Sequence, residues 1–309
     1  DDWKAKSFSV HNAHDTRCYW WYLNGCGTLS SMAITQYGTT HAEYMDKTVR
    51  RPSIKVENGK SSRRPDSVSV ESALSIAINK SGQTYELGLT MRTPGDDHDL
   101  VVGFLHSEGV IESLKCISSI ESDDDRITVE LDDSAKFNPH ELTRRTTMTS
   151  SCGICGKESI SNLLHMHGPE LSSDFSITHL EVGKAVSGLR TMQSTFDLTG
   201  GSHACGRANI EGTIIDVKED IGRHNALDKL IGAAINKGEL PIDKEVVVVS
   251  GRASFELVQK AIKAGFPIMI SVGAPSSLAV DIANEHGMTL VSFANVDRMT
   301  VFSASNRVC

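Results

Sequence analysis

The stretch that decides the fold is residues 246–293, which reads VVVVSGRASFELVQKAIKAGFPIMISVGAPSSLAVDIANEHGMTLVSF. Four consecutive valines open it and predict a strand that is covered on both faces. Serines precede each of two helical segments, and glycines end them. The predicted elements are strand 246–249, helix 254–264, strand 266–272, helix 276–286 and strand 288–293. This alternation predicts a mostly parallel sheet with right-handed crossovers.

Upstream of this stretch, the alternation of strands and helices continues, and a different pattern of elements precedes it. Strand 213–217 and helix 225–237 precede the deciding stretch, and residues 158–167 and 178–193 carry helical spacing. Residues 65–140 read as a small α+β unit: a hairpin over 68–89, a helix over 99–109 and an alternating strand over 126–131. The predicted organisation is an extension over 1–47, a small α+β domain over 48–140, a mobile loop over 141–157 and an α/β domain over 158–309.

Residues 1–47 differ from the rest in composition. They hold all three tryptophans and four of the five tyrosines, with little clean periodicity. Either this segment docks on the main body or it is a poorly ordered appendage. Docking is favoured, because so many aromatic side chains are costly to leave in water.

Composition restricts the class of protein. The net charge of −8 argues against broad binding to nucleic acid, and no apolar run approaches the length of a membrane span. Seven cysteines, an odd number scattered along a long chain, are typical of reduced thiols rather than of a disulfide framework. The sequence therefore predicts a cytoplasmic protein with neither a membrane nor a nucleic acid as partner.

The chemistry-bearing motif is Cys152-Gly-Ile-Cys155, set in a polar run rich in Ser and Thr. Two thiols at this spacing can share a task, in which one carries sulfur or electrons and the other attacks or resolves. Arg144, Arg145 and Lys157 favour the thiolate, which is the reactive form. The bland alternative is a pair of unremarkable surface thiols.

Three polar loops are expected at the carboxyl ends of the strands, where open α/β sheets bind ligands. One carries Arg223 and His224 at the start of a helix, where free amides could meet an anion. The second is Ser250-Gly-Arg252, and the third is Gly273-Ala-Pro-Ser-Ser277, with Ala274 and Ser276. Together they resemble a cradle for phosphate groups, although serines also cap helices for purely structural reasons.

A further turn, Asp197–Cys205, includes Gly200, Gly201 and His203. His203 could donate a proton, contact a ligand ring or bind a metal, or it could only steady the glycine turn. Glu219, Asp220 and Asp228 flank Arg223 and His224. Their spacing suits ion pairing equally well, so no catalytic carboxylate is assigned. His165 and His167 face different directions on a helix, which makes a zinc site from them improbable.

Several of these runs, in this order, resemble the FdhD family of sulfur carriers required for formate dehydrogenase activity. The residues that carry the resemblance are Ser151-Cys-Gly-Ile-Cys-Gly156, Thr199-Gly-Gly-Ser-His-Ala204, Glu219-Asp-Ile-Gly-Arg-His-Asn-Ala-Leu-Asp-Lys229 and Ser250-Gly-Arg252. Thr93-Pro94, Gly103–Gly109 and Ala274–Ala279 fit the same family. The likeness covers roughly residues 48–302.

The resemblance implies a cytidine-deaminase-like C-terminal domain beside a smaller N-terminal domain, in a homodimer. It implies that sulfur arrives from a cysteine desulfurase as a persulfide on Cys152, that Cys155 assists, and that formate dehydrogenase is the eventual partner. The substrate would be the molybdenum cofactor, bis-molybdopterin guanine dinucleotide. The family's cofactor-binding segment falls on Phe293, Ala294, Asn295, Val296, Asp297 and Arg298.

Departures from the family pattern bear on the cofactor contacts. Asn295 stands in place of a frequent arginine, Phe302 in place of a tyrosine, and Cys205 in place of a small residue, so a third thiol is expected near the site. His203-Ala-Cys205 lacks the glutamate of zinc deaminases, so no catalytic zinc is expected. The alternatives to sulfur transfer are a cofactor-binding chaperone without sulfur chemistry and, less favoured, a zinc deaminase.

Overall fold

The computed structural model describes residues 47–133, 135, 137, 168–171, 174 and 176–309. Twelve strands and six α-helices are found in these residues. The strands are β1 Thr48–Glu57, β2 Lys60–Ser69, β3 Ser72–Lys80, β4 Gln83–Arg92, β5 Ile117–Asp123, β6 Arg126–Leu131, β7 His203–Ala208, β8 Ile214–Asp220, β9 Val246–Val249, β10 Ile268–Ser271, β11 Thr289–Ser292 and β12 Thr300–Ser303. The helices are α1 Asp97–Ser107, α2 His179–Thr191, α3 Ser194–Thr199, α4 Arg223–Asn236, α5 Phe255–Ala264 and α6 Ser277–Glu285. None of these helices is long and apolar enough to cross a membrane.

The larger sheet has six strands in the order β12-β11-β10-β9-β7-β8. Strands β9, β10 and β11 pair in parallel, whereas β7 pairs antiparallel with both β8 and β9, and β12 pairs antiparallel with β11. The prediction of a mostly parallel sheet is therefore wrong. Only the βαβ units from β9 to β11 require parallel pairing, and the strands on either side are antiparallel.

The valine strand β9 is buried on both faces, as predicted. Val247 and Val249 belong to a core cluster with residues of α4, α5 and α6. Val246 and Val248 belong to a second cluster with Val182, Ala185 and Leu189 of α2. Because successive strand residues point to opposite faces, this one strand contributes to two cores, and the sheet forms the middle layer.

The smaller sheet has four strands in the order β4-β3-β6-β5. The predicted hairpin is present as β3 and β4, which pair antiparallel around the turn at Ser81 and Gly82. The buried face of this sheet shares its core cluster with α1 and with α4. These two helices consequently connect the two sheets.

Helices α1 and α4 cross at two glycines. A Cβ atom on Gly103 would lie 1.9 Å from the carbonyl oxygen of Asp228, and one on Gly232 would lie 1.8 Å from that of Asp99. Real Cβ atoms do not approach other atoms so closely, so the two backbones touch only because both residues lack a side chain. The pair of glycines sets the spacing between the two sheets.

Three strand regions were not predicted, and β5 is one of them. Strands β1 and β2 form a separate antiparallel ribbon. Strand β7 starts at His203, within the segment that the sequence predicts as a turn. The first part of the predicted turn is instead the short helix α3, which was not predicted. This helix ends at Gly200, which has φ 66°.

Candidate functional site

Some predicted residues cannot be placed. Cys152 and Cys155 lie outside the described residues, as do the predicted loop 141–157, the helical stretch 158–167 and the N-terminal extension up to residue 46. The remaining predicted site residues all belong to the larger sheet and its loops, and they are considered in turn below.

The carboxyl ends of β8, β9, β10 and β11 meet at one edge of the larger sheet, and the start of β7 lies at the same edge. His203 pairs with Asp220 at the end of β8, and Cys205 pairs with Val249 at the end of β9. The Oγ of Ser250 accepts a hydrogen bond from the Ala204 amide at 2.9 Å. The edge therefore brings His203, Arg223, His224, Ser250, Arg252, Ala274, Ser276 and Phe293 into neighbouring loops.

Within the run Glu219–Lys229, most polar side chains build the scaffold. The buried carboxylate of Glu219 accepts hydrogen bonds from the amides of Thr195 and Phe196 at 2.8 and 2.9 Å, at the start of α3. It also accepts one from Ser202 Oγ at 2.8 Å. Glu219 thus holds the turn that leads into β7.

Asp220 and Lys229 form an ion pair of 2.8 Å in which both side chains are fully buried. Thr93 completes this joint. Its amide donates to Asp220, its carbonyl accepts from Lys229 Nζ at 2.7 Å, and its hydroxyl accepts from the Ile221 amide. Burial lowers the pKa of Lys229, although Asp220 opposes this shift. The Thr93-Pro94 motif therefore fastens the smaller sheet to the start of α4.

Asp228 and Asn225 have structural roles as well. Asp228 accepts hydrogen bonds from Lys260 Nζ at 2.7 and 2.8 Å and from Ser107 Oγ at 2.8 Å. Asn225 Nδ2 donates to the carbonyl of Met91 at 2.8 Å. Of the three carboxylates, Asp220 and Asp228 are therefore ion-paired, whereas Glu219 accepts hydrogen bonds from backbone amides and a serine. Arg223 and His224 take no part in these bonds.

His203, Arg223 and His224 form a basic cluster at the sheet edge. The pKa of His203 is lowered by burial and then by the charges of Arg223 and His224. The Nε of Arg223 is buried and has no hydrogen-bond partner among the described residues. Gly222, the N-cap of α4, offers no side chain to its first amides. A guanidinium whose Nε lacks a partner, placed at a helix N-terminus, favours an anion at this position.

His224 has a carboxylate partner that the sequence analysis missed. Its Nε2 lies 2.9 Å from Glu256 Oε2 and 3.3 Å from Ser254 Oγ. The hydrogen bond with His224 lowers the pKa of Glu256, against the effect of its burial. An acidic residue in the first turn of a helix is usually read as a favourable helix-dipole interaction, and this reading hid the pair.

The loops after β9 and β10 approach each other through glycines. A Cβ on Gly273 would lie 2.8 Å from the carbonyl oxygen of Gly251 and 2.9 Å from the backbone of Arg252. Gly251 itself faces the His203 ring, which a Cβ would meet at 3.4 Å. Gly273 therefore permits close packing of the two backbones, whereas a Cβ on Gly251 would make only ordinary contact with the His203 ring. The role of these loops as a phosphate cradle stays a prediction.

Ala274 and Ser276 bind the two loops together. The carbonyl of Ala274 accepts from the Ala253 amide at 3.1 Å, and the Ser276 amide donates to the Ala253 carbonyl at 3.0 Å. The Ser276 hydroxyl caps α6 by accepting from the Ala279 amide at 3.2 Å. This side chain is thus occupied by a structural bond.

The segment 293–298 begins at the same edge. The Phe293 amide donates to the Gly273 carbonyl at 3.1 Å, and its ring is 42% exposed and 6.3 Å from the ring of Phe302. Asn295 folds the turn, because its Oδ1 accepts from the amides of Asp297 and Arg298 at 2.9 Å. Val296 lies against Gly183 of α2, and Ala294 is buried. The departure at position 295 therefore has a local structural use.

Gly200 and Gly201 lie beside the base of the ribbon. The Gly201 amide donates to Thr199 Oγ1 at 3.1 Å, and this hydroxyl lies 2.8 Å from Ser69 Oγ at the end of β2. Gly201 precedes Ser202 and His203, so the turn positions the start of β7.

Cys205 lies beneath the basic cluster. Its side chain is buried, its Sγ lies 3.9 Å from the carbonyl oxygen of Arg223, and burial raises the pKa of its thiol far above the usual value. A third thiol does lie near the site, but it is protonated at neutral pH and unsuited to nucleophilic attack. In the described part of the chain, no group of three or more His, Cys, Asp or Glu is arranged to hold a metal.

Comparison with known proteins shows which family this chain matches. The model of the FdhD/NarQ family matches residues 69–309. A protein named sulfur carrier protein FdhD from Streptomyces coelicolor is 39% identical over 273 residues, covering 84% of this chain and 95% of that protein. Its namesake from Nocardia farcinica is 42% identical over 274 residues, with the same shares covered.

Among solved structures, a similar chain comes from Desulfotalea psychrophila and is described provisionally as a formate dehydrogenase accessory protein. It has a TM-score of 0.67 and 25% sequence identity, and the match covers 85% of this chain and 99% of that one. The mixed α/β architecture described above is thus found in a solved relative.

Proposed function

Because the chain belongs to the FdhD/NarQ family, we propose that it is a sulfur carrier that serves formate dehydrogenase. In this proposal it receives sulfur from a cysteine desulfurase and passes it to the molybdenum cofactor, bis-molybdopterin guanine dinucleotide, which is its substrate. Since the cysteines must stay reduced between cycles, we expect the protein to act in the cytoplasm. We also expect a homodimer, because the family resemblance implies one.

The basic cluster of His203, Arg223 and His224 is the observation that carries the proposal. It supports binding of the phosphate groups of a dinucleotide, because a buried Arg223 Nε without a partner and the uncapped amides of α4 suit an anion. The exposed ring of Phe293 at the same edge suits a planar group of the same substrate. The cytidine-deaminase-like assignment of the α/β domain stays a prediction.

Cys152 and Cys155 supply the chemistry. The thiolate of Cys152 attacks the outer sulfur of the donor's persulfide, a new S–S bond forms on Cys152, and the donor cysteine leaves as a thiolate. The thiolate of Cys155 then attacks the inner sulfur on Cys152, so that the outer sulfur leaves as hydrosulfide for the substrate and a Cys152–Cys155 disulfide forms, which a cellular thiol reductant must cleave before the next cycle. Gly168 lies against Ile262 of α5. The stretch from Cys155 to Gly168 can span at most about 45 Å, roughly three times the length of α5.

The first experiment replaces Cys152 by Ala and measures formate dehydrogenase activity in cells that depend on this chain. We expect activity to be lost, whereas Cys309→Ala, which removes an exposed thiol elsewhere, should leave it intact. Full activity of the Cys152 variant would overturn the persulfide role. Mass spectrometry after incubation with a cysteine desulfurase and cysteine separates transfer from carriage alone, since only a sulfur carrier gains a sulfur atom on Cys152 or Cys155.

A second experiment addresses the phosphate cradle. Arg223→Ala should weaken binding of inorganic pyrophosphate about tenfold, which is typical of losing one charge-assisted contact. Arg190→Ala, which removes an exposed arginine paired with Asp197, is the matched control. Equal affinities of the two variants, measured by calorimetry, would remove the cradle from the proposal without touching the cysteines.

A further inference from the structure

The β1–β2 ribbon exposes an apolar face that nothing in the described part of the chain covers. Ile54 lies opposite Arg63 and Pro52 lies opposite Pro65, so alternate residues place Arg50, Pro52, Ile54, Val56, Arg63 and Pro65 on one face. Ile54 and Val56 are 60% and 64% exposed. A concave surface of about 580 Å³ is lined by Pro52, Ser53, Ile54, Arg63, Arg64 and Pro65.

An exposed apolar strand face of this kind is typical of an interface with another molecule. A two-stranded ribbon is marginally stable alone, and exposed apolar strand surface promotes association. We propose that the ribbon is an interface with a second copy of this chain. The inference builds on the homodimer expected under the proposed function and names the surface that forms it, but it does not depend on the sulfur chemistry.

Charge decides which surface of the second copy receives the ribbon. The ribbon carries six lysines and arginines and two carboxylates, although the chain as a whole has a net charge of −8. The apolar face itself has two arginines and no carboxylate. Two ribbons facing each other would therefore repel, and an acidic surface is required.

The acidic hairpin, defined here as Glu121, Asp123, Asp124 and Asp125, meets this requirement. It lies at the β5–β6 turn, all four side chains are exposed, and β5 is an edge strand of the four-stranded sheet. Leu114, which is 37% exposed just before β5, adds apolar surface. The ribbon of each copy would thus contact the acidic hairpin of the other about a two-fold axis.

The size of the interface favours this reciprocal arrangement. A ten-residue, two-stranded ribbon presents a face of about 33 by 10 Å. One such contact buries too little surface for a stable complex, whereas two reciprocal contacts bury about 1,300 Å² in total, which is within the usual range. A single, one-way ribbon contact is therefore disfavoured.

The test uses the full chain and light scattering after size exclusion, at low and at high salt. Arg50→Glu with Arg63→Glu should raise the dissociation constant of the dimer at least about tenfold, and so should Asp123→Lys with Asp124→Lys. Mixing these two variants should restore a dimer, because one reversed ribbon then meets one reversed hairpin. Arg51→Glu with Lys55→Glu, an equal charge change on the other face of the ribbon and outside the lining of the concave surface, should dissociate the dimer less.

Three results would overturn the inference: a monomeric parent chain, a dimer that is insensitive to both reversals, or a mixture that stays monomeric. Sulfur loading, measured by mass spectrometry on the same variants, is a separate readout. A chain that dimerises through the ribbon but takes up no sulfur would leave this interface intact and would overturn only the proposed function.

Discussion

At the scale of single residues, the Asp220–Lys229 ion pair is the most consequential buried interaction near the site. Both side chains are fully buried, and Thr93 satisfies their remaining hydrogen-bonding groups. Removing one partner leaves the other charge buried without compensation, which costs about 3–5 kcal/mol.

Lys229→Met should accordingly lower the free energy of unfolding by about 3–5 kcal/mol in urea titrations. Adding Asp220→Asn to it should cost less than the sum of the two single changes, because the second change removes the stranded charge. Lys237→Met, which breaks an exposed pair with Asp216, is the control and should cost less than about 1 kcal/mol. An equally mild effect of Lys229→Met would contradict this account.

His106 predicts a pH dependence of stability. It is buried, its Nδ1 has no hydrogen-bond partner among the described residues, and burial together with Lys263 and Lys260 lowers its pKa to about 4. An unfolded histidine has a pKa of about 6.5, so the unfolded state binds more protons between these values. Stability is therefore full above about pH 6.5 and declines toward pH 4, by about 3 kcal/mol in all.

The measurement is the slope of the unfolding free energy between pH 6.5 and about pH 4. His106→Gln should flatten it relative to the parent chain, whereas His179→Gln, at an exposed position on α2, should leave it unchanged. Identical slopes for the parent and His106→Gln would show that another group is responsible.

Residue identity also explains which site features could be predicted. The loops that carry Gly251, Gly273 and Arg223 could be predicted to lie together, because they follow neighbouring strands at the same end of the sheet. Their role in binding phosphate stays a prediction. Glu256 was missed because a glutamate in a first helical turn has an ordinary one. The protonated state of Cys205 could not be predicted either, since it depends on burial beneath α4, which only the three-dimensional packing creates.

At the scale of elements, the crossing of α1 and α4 controls how the two sheets are joined. Gly103→Ala would place a Cβ within 1.9 Å of a backbone oxygen, so the helices would have to separate. Alanine has a higher helix propensity than glycine, which stabilises the helix by about 1 kcal/mol. This gain is smaller than the stability lost when the contact between the two helices is disrupted.

We expect Gly103→Ala to lower the unfolding free energy by about 1–3 kcal/mol, and Gly232→Ala to do the same. The double variant should cost less than the sum of the two, because a single separation relieves both clashes. Calorimetric melting of the three variants checks this. Additive losses would indicate two independent defects rather than one shared crossing.

The elements also differ in how far the sequence predicts them. Strand β9 and helices α5 and α6 were placed within a few residues, because β-branched runs and capping serines bound them. The ribbon was missed because arginines and prolines fill both of its strands, and these are not strand formers. Strand β7 lacks β-branched residues altogether, and it is held in place by pairing on both sides with β8 and β9.

At the scale of the whole molecule, one core cluster spans both sheets. Leu74 of β3 and Val247 of β9 belong to the same cluster, through α1 and α4. We therefore expect the two sheets to unfold in a single cooperative transition.

Leu74→Ala, in a fully buried position, should cost about 2–5 kcal/mol. Hydrogen exchange should then accelerate in β9 as well as in β3, although the substitution touches only the smaller sheet. Faster exchange confined to the smaller sheet would contradict a shared transition. It would also favour two separately folding domains, over 48–140 and 158–309, which stay a prediction.

The division of labour within the run Glu219–Lys229 has an evolutionary consequence. Most polar positions of the run build the scaffold, through the Asp220–Lys229 ion pair and the hydrogen bonds of Glu219 and Asp228, whereas we propose that the neighbouring Arg223 and His224 contact the ligand. A related protein could keep every residue of this run and still bind a different ligand, if the residues of the facing loops changed. A sequence that matches this run therefore shares the scaffold, and its ligand must be inferred from the residues of the surrounding loops.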